Sequence, residues 1–397
     1  MSFAVASSTA FDLSQALREV LTETDRQQNH QSIDLAIVYY SSAHISQAET
    51  IARAIHGHLQ PRVLLGCSAE SLVANRLEIE NQAAIVLWTA HWDRQVQLEA
   101  FRLQAETTPD GLTILGWPDS ILEANPNRTA VILFGDPFSL PVSESLLPAF
   151  NEDFPGIPLF GGIASGMNNP GELSLIYQDE AFRTGAVGVM ISGPLRFHSI
   201  VSQGAKPIGE PKVITKGKDF FIMELSGQLP VNYIREVLLN LSEHDQQLCQ
   251  RGGLMIGLAM SEFRDKFERG DFLIRPLQGF DPQTGTVVIT DRIRVGQTVQ
   301  FQLRDAESSD QDLLSMLHRS LTFGIKPQSA LVFTCNGRGT RMFSEPHHDA
   351  KAIQDVFGPL PTAGFFAAGE FGPVGGNNFI HGFTASIVFF EDAPERY

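Results

Sequence analysis

Three short phrases rich in glycine, alanine and serine constrain this chain more than anything else in it. They read LLGCSAES at 64–71, LFGGIASG at 159–166 and AGFFAAGEFG at 363–372. Each follows, at a similar distance, an apolar run: IDLAIVYY (33–40), RTAVILFGD (128–136) and SALVFTCNG (329–337). β-Branched and aromatic residues dominate these runs, as expected of strands buried on both faces. The separation from strand to key glycine is 31 residues from Leu35 to Gly66, 30 from Val131 to Gly161 and 33 from Leu331 to Gly364. Helical spacing fills the gaps, with Ala48, Ile51, Ala52 and Ile55 on one face and helices also expected over 143–150 and 349–357. A further apolar strand closes each unit, at 83–88, 186–192 and 384–390. The spacing predicts a repeated strand–helix–strand–turn–strand unit.

Units of that order build mixed sheets flanked by helices, so the expected class is mixed α/β (α+β) in two domains. An amphipathic helix after Asp12 occupies residues 1–30. A first domain over 31–225 then holds two units, and a second over 226–392 holds the third. Between the second and third units, GLMIGLAM and TGTVVIT read as antiparallel strands, Pro230 starts a helix, and Ser308 caps another.

Of the 397 residues, 43% are hydrophobic and 19% charged, a globular composition. A net charge of −16 argues against nucleic acid and anionic membrane surfaces as partners. No apolar run approaches the roughly 20 residues of a membrane-spanning helix. Asp12 interrupts the N-terminal stretch before a secretory leader can form. Three scattered cysteines, Cys67, Cys249 and Cys335, do not make a disulfide framework, which points to a reducing cytoplasm.

Small-residue turns leave backbone N–H groups accessible, and open α/β sheets bind ligands where strand ends diverge. The turns around Gly66, Gly161 and Gly364 are therefore expected to wall a ligand cleft, with Cys67, Ser68, Gly161, Gly162 and Ser165 along it. CNGRGTRMF (335–343) adds a thiol, an amide and a guanidinium in Cys335, Asn336 and Arg338. Arg338 has a fork suited to a carboxylate, either that of a ligand or that of Glu370. His381 completes the polar set. No base is placed beside either Cys67 or Cys335, GIASG is not a nucleophile elbow, and no G-x-x-x-x-G-K-[ST] loop is present, so no catalysis is expected. His56 and His58 diverge on a helix, and His347 and His348 cannot both point inward, so no metal is expected either.

GCSAES, FGGIASG, SQGAKPIG, CNGRG and GFFAAGEFGPVGG followed by HGFTAS together resemble the FIST domain, in its N-terminal and C-terminal parts, over residues 30–390. The resemblance implies a sensory module for a small ligand such as an amino acid, with no bound cofactor. Some bacterial members resemble haem-based nitric oxide sensors, and a eukaryotic branch is an adaptor that recruits proteins. Haem and a pure protein-interaction role are thus the alternatives. The segments flanking the domain are too short for an F-box or an output domain. Signalling is therefore expected through a protein partner or through homo-oligomeric assembly.

Overall fold

The computed structural model describes every residue except 30, 94, 110, 264, 265, 269 and 394–397. The first repeat runs β1 (Ser2–Ser8), α1 (Leu13–Gln28), β2 (Leu35–Ser41), α2 (Ala48–Leu59), β3 (Val63–Ala69), a hairpin of β4 (Leu72–Ala74) and β5 (Leu77–Ile79), and β6 (Ile85–His91). The second runs β7 (Gln97–Thr108), β8 (Gly111–Leu115), β9 (Thr129–Gly135), α3 (Leu147–Asp153), β10 (Leu159–Ile163), a hairpin of β11 (Leu175–Tyr177) and β12 (Glu180–Phe182), and β13 (Ala186–Ser192). The third begins with β14 (Leu195–Gln203) and is then interrupted. The inserted elements are β15 (Ala205–Pro207), β16 (Lys212–Lys218), β17 (Phe221–Leu225), α4 (Pro230–Leu239), α5 (Glu243–Leu248), β18 (Leu254–Ala259), β19 (Phe272–Phe280), β20 (Val287–Ile289) and β21 (Thr298–Arg304). The repeat resumes with α6 (Ala306–Thr322), β22 (Ser329–Cys335), α7 (His348–Phe357), β23 (Thr362–Ala367), a hairpin of β24 (Glu370–Val374) and β25 (Asn377–His381), and β26 (Thr384–Asp392).

The expected repeat is present in the pairing. β2 and β3, β9 and β10, and β22 and β23 pair in parallel, each joined by its helix. The closing strands β6, β13 and β26 lie antiparallel beside β2, β9 and β22, which places those three strands inside their sheets. Spacing alone gave no sign of where the hairpins go. β4 pairs with β23 of the third repeat, β24 with β10 of the second, and β11 with β3 of the first. Each repeat lends its hairpin to another in a closed cycle, so none of the three repeat sheets is complete without a strand from another repeat.

That exchange decides how the chain divides. Residues 1–201, 314–380 and those from 384 onward form one compact unit containing all three repeats. Ser202–Leu313, with 381–383, form a second, in which an additional β18–β21 pairing closes the sheet into a ring around Ile214, Ile256 and Phe301. The division read from chain order, at 226, separated the third unit from the first two. In the structure the third repeat packs with them, because the exchanged hairpins tie it there, and the intervening residues are an insertion after β14.

Within the three-repeat unit the strands alternate between two cores. Leu35, Ile37 and Tyr39 of β2 face a central core shared with Ile132 and Phe134 of β9 and Leu331 and Phe333 of β22. Ala36, Val38 and Tyr40 face the helices, against Ala16, Val20, Ile51 and Ile55. The ring of Phe365 lies 5.3–5.7 Å from those of Tyr39, Phe134 and Phe333. No helix among the described residues is long and apolar enough to cross a membrane.

Candidate functional site

The three small-residue turns meet one another. Ser165 N donates to Ser68 O, Ser165 Oγ donates to Phe366 O and accepts from Glu70 N, and Phe366 N donates to Ser71 O. Ile163 N donates to Gly369 O, and Ala368 N returns a bond to Ile163 O. The glycines are spacers for backbone. A Cβ on Gly161, which has φ +121°, would overlap Leu133 O, and the equivalent Gly66 and Gly364 lie as close to Val38 O and Val332 O. The turns expected to wall a cleft therefore face each other in hydrogen-bonded contact. Cys67 is fully buried in the central core, and burial pushes its thiol well up. Ser68 is buried with its Oγ accepting from Ser174 N, and Gly162 lies opposite Glu370.

Chemistry enters where the repeats differ. Cys67 is paired with Leu175 and Phe365 with Leu72, but the third equivalent, Gly162, is paired with Glu370. A carboxyl stands where its counterparts are leucines, and it is fully buried. Thr384 donates to Glu370 Oε2 from both N and Oγ1, at 3.3 and 2.6 Å, and Oε1 has no hydrogen-bond partner. Burial raises its pKa to about 8, against the opposing influence of Thr384, Cys335 and Arg338. At neutral pH Glu370 is mostly a neutral acid.

Arg338 does not pair with Glu370. It lies fully buried in the turn after β22, and its Nε and Nη2 donate to Asp349 Oδ2 and Oδ1 at 2.8 and 2.7 Å. Asp349 stands in the first turn of α7, which brings the carboxylate to the fork across one loop. Thr334 Oγ1 donates to the same carboxylate at 2.7 Å, and His348 Nδ1 lies 2.9 Å from Oδ1. Burial works against ionising Asp349, yet the Arg338 charge and these bonds hold its carboxyl well below the usual range. Glu78, on the hairpin lent by the first repeat, caps α7 by accepting from Asp349 N and Ala350 N at 2.8 and 3.1 Å. Burial, then the Asp349 charge, raises Glu78 to about 7. His347, the residue before α7, has φ 67°, an unfavourable left-handed conformation for a side-chain-bearing residue. Arg338 Nη1, Asn336 Oδ1 and Glu78 Oε2 are buried without hydrogen-bond partners. Orphaned buried polar atoms are costly, and here they gather around the loop after one strand.

Beside Asn336 a crevice of about 30 Å³ opens between the β4–β5 hairpin and this loop. Its lining includes Glu70, Glu80, Asn81, Asn336, Thr340 and Arg341. Arg341 forms a forked ion pair with Glu70 and also donates to Asn336 O at 3.0 Å. The Glu80 carboxylate accepts from Thr340 N and Oγ1 at 3.1 and 2.7 Å. Of the residues expected from sequence, Asn336 alone lines this crevice; Cys335, Arg338 and Glu370 interact with one another in the interior, and Cys67, Ser68, Gly161 and Ser165 belong to the turn junction. His381 is counted with the second unit. Sequence reading missed Glu70, Glu78, Glu80, Arg341 and Asp349. Glu70 and Arg341 stand inside phrases already singled out, but nothing local told a solvent-facing charge from a lining one. Among the described residues no group of three His, Cys, Asp or Glu is placed to hold a metal ion.

The FIST N domain matches residues 34–228 and the FIST C domain residues 230–373. The chain belongs to the FIST family. FIST domains form a sensory domain family. An uncharacterized protein of Mycobacterium tuberculosis, Rv0628c, is 39% identical over 99% of this chain and all of its own length. Another, Mb0898c of Mycobacterium bovis, is 37% identical over the full length of both. These relatives align with the FIST chain over its whole length, the residues of the inserted unit included.

Proposed function

We propose that this FIST protein is a sensor for a small zwitterion or carboxylate, an amino acid being the best fit. The site is the crevice between the β4–β5 hairpin and loop 336–347, and the signal passes to a protein partner without catalysis. The supporting observation is the lining, which sets a guanidinium, two carboxylates, two amides and two hydroxyls around one small space. In this reading a ligand carboxylate replaces Glu70 on the Arg341 fork, and its ammonium meets the displaced Glu70 and Glu80.

About 30 Å³ holds little more than a water, so entry has to part the Arg341–Glu70 pair and lift the loop. Such a half-exposed pair is worth about 1 kcal/mol or less, which a ligand of even millimolar affinity offsets. The displacement of a loop anchored at Arg338 is what a partner would read.

A thermal-shift screen of the standard amino acids and small carboxylates tests this. The expected result is a raised melting temperature for a narrow set of compounds, lost in Arg341→Gln and reduced in Asn336→Ala. No response to any compound, with a protein partner that co-purifies stably, would replace this reading with the adaptor role. A Soret band in protein from haem-supplemented cells would replace it with haem sensing.

A further inference from the structure

The second repeat carries its own version of that crevice, and it stands open. In the third repeat the niche lies between the loop after β22, Phe366 of the turn, and Glu70 and Glu80 of the borrowed hairpin. The corresponding positions in the second repeat are the loop after β9, Ile163, and Ala368 and Ile380 of its borrowed hairpin. They enclose about 500 Å³. The two loops are of similar length but are filled differently. Twelve residues separate Cys335 from α7, and three of them, Arg338, Gly339 and Phe343, are buried. Eleven separate Gly135 from α3, the last five as the single π-helical turn Val142–Leu146, and Pro137, Phe138, Ser143 and Glu144 among them stay exposed and leave the niche unfilled.

We infer that this niche is a second ligand site, for a hydrophobic amine. Its size is that of small-molecule pockets, and its walls come from several separate segments, which makes a concavity rather than a flat face. Leu140, Val142, Ile163 and Ile380 supply apolar lining, and Phe138 and Leu112 stand 43% and 46% exposed at the opening. Apolar surface left in water favours an apolar occupant. Glu144 is the one charged residue among the described lining residues, and it selects a cationic head over an anionic one. A π-helical turn at the edge is a feature that recurs at functional sites. The fitting class is an aryl- or alkylamine of about ten to fifteen non-hydrogen atoms.

Saturation-transfer NMR with 4-phenylbutylamine, 4-phenylbutanol and 4-phenylbutanoate tests this on the full chain. Three compounds of one shape separate the pocket from the charge. The amine should saturate the wild-type protein, the alcohol should bind about two- to fivefold more weakly, and the acid more weakly still. Glu144→Gln should make amine and alcohol equal. Ala105→Trp, which fills the pocket from β7, should abolish both. Should that variant fail to give a native circular dichroism spectrum, Ser143→Trp at the exposed rim replaces it. The inference is overturned if no compound saturates, if binding survives the tryptophan variant that folds, or if the acid binds as tightly as the amine.

Discussion

Removing one partner of the Arg338–Asp349 pair should cost far more than removing both. Arg338 is 0% exposed and Asp349 1%, so neither charge is repaid by water when the other is gone. Asp349→Ala strands the guanidinium with only Glu78 to balance it, and takes away the acceptor for Thr334 Oγ1. Breaking a buried pair in this way costs about 3–5 kcal/mol. Arg338→Ala leaves Asp349 beside Glu78, two acids with only the His348 imidazole to balance them, and the same range applies. Arg338→Met combined with Asp349→Leu removes both charges of the pair and lets the buried Glu78 take up its proton, and should lie within about 2 kcal/mol of the wild type. Urea unfolding followed by tryptophan fluorescence measures this. All three tryptophans, Trp88, Trp92 and Trp117, belong to the compact unit that holds the pair. Single losses below about 1 kcal/mol, or a double variant equal to the sum of the singles, would refute the reasoning. Arg338→Ala and Glu370→Ala, which share no direct bond, should by contrast couple much more weakly than Arg338 and Asp349 do.

Further outcomes follow from the same structure. Glu370 has a folded pKa raised to about 8, so the unfolded chain releases this proton first and the protein loses stability between about pH 4.5 and 8. Glu370→Gln should remove that loss, gaining on the wild type by up to about 1.4 kcal/mol per pH unit across the window, measured as denaturant midpoints at pH 5 and 8. Asp349 acts in the opposite sense, its carboxyl being held low, so its contribution is present above about pH 4 and lost on acidification. Asp349→Asn should therefore flatten the acid limb of the same titration. Gly364→Ala, whose Cβ would overlap Val332 O, should destabilise by several kcal/mol. Gly57→Ala in α2, with nothing within 4 Å, should stabilise by up to about 1 kcal/mol in the same urea assay. Cys67, buried in the central core, should react with a thiol reagent only at the rate of unfolding, as followed by mass spectrometry.

The repeat, its strands and its helices were legible because they are written locally, in apolar period and in turn chemistry. Leu35–Tyr39 and Thr129–Phe134 alternate between two cores, and so read as buried strands from their own residues. Two kinds of information were not local. The hairpins β4–β5, β11–β12 and β24–β25 have strands of three to five residues, too short to specify a partner. Their pairing is set by sheets built elsewhere in the chain, and the domain division followed from it. The partner of Arg338 was missed for a related reason. Glu370 lies in the more conspicuous phrase, but the turn after β22 aims the fork at the first turn of α7, where Asp349 waits. Similarly, Ser308 does not cap α6; its N–H donates to Asp305, one turn earlier, at 2.9 Å.

The three repeats supply an internal control that a single copy cannot. Where all three agree, geometry is the cause: Gly66, Gly161 and Gly364 each lie against a carbonyl of the preceding strand, and no side chain fits there. Where they disagree, geometry has left the position free. Opposite the residue after that glycine the chain places Leu175, Leu72 and Glu370, with no change in backbone pairing. A leucine there is stabilising, whereas a buried carboxyl with an orphaned oxygen is costly, so the exception is not explained by folding. The loops after β2, β9 and β22 vary in the same way. One is a short 3-10 helix, Ser42–Gln47, one leaves an open niche, and one carries a buried guanidinium with its acid. The common scaffold therefore accounts for stability, and its departures from threefold likeness, at Glu370, Arg338 and the loop 136–141, are the positions that folding alone does not explain.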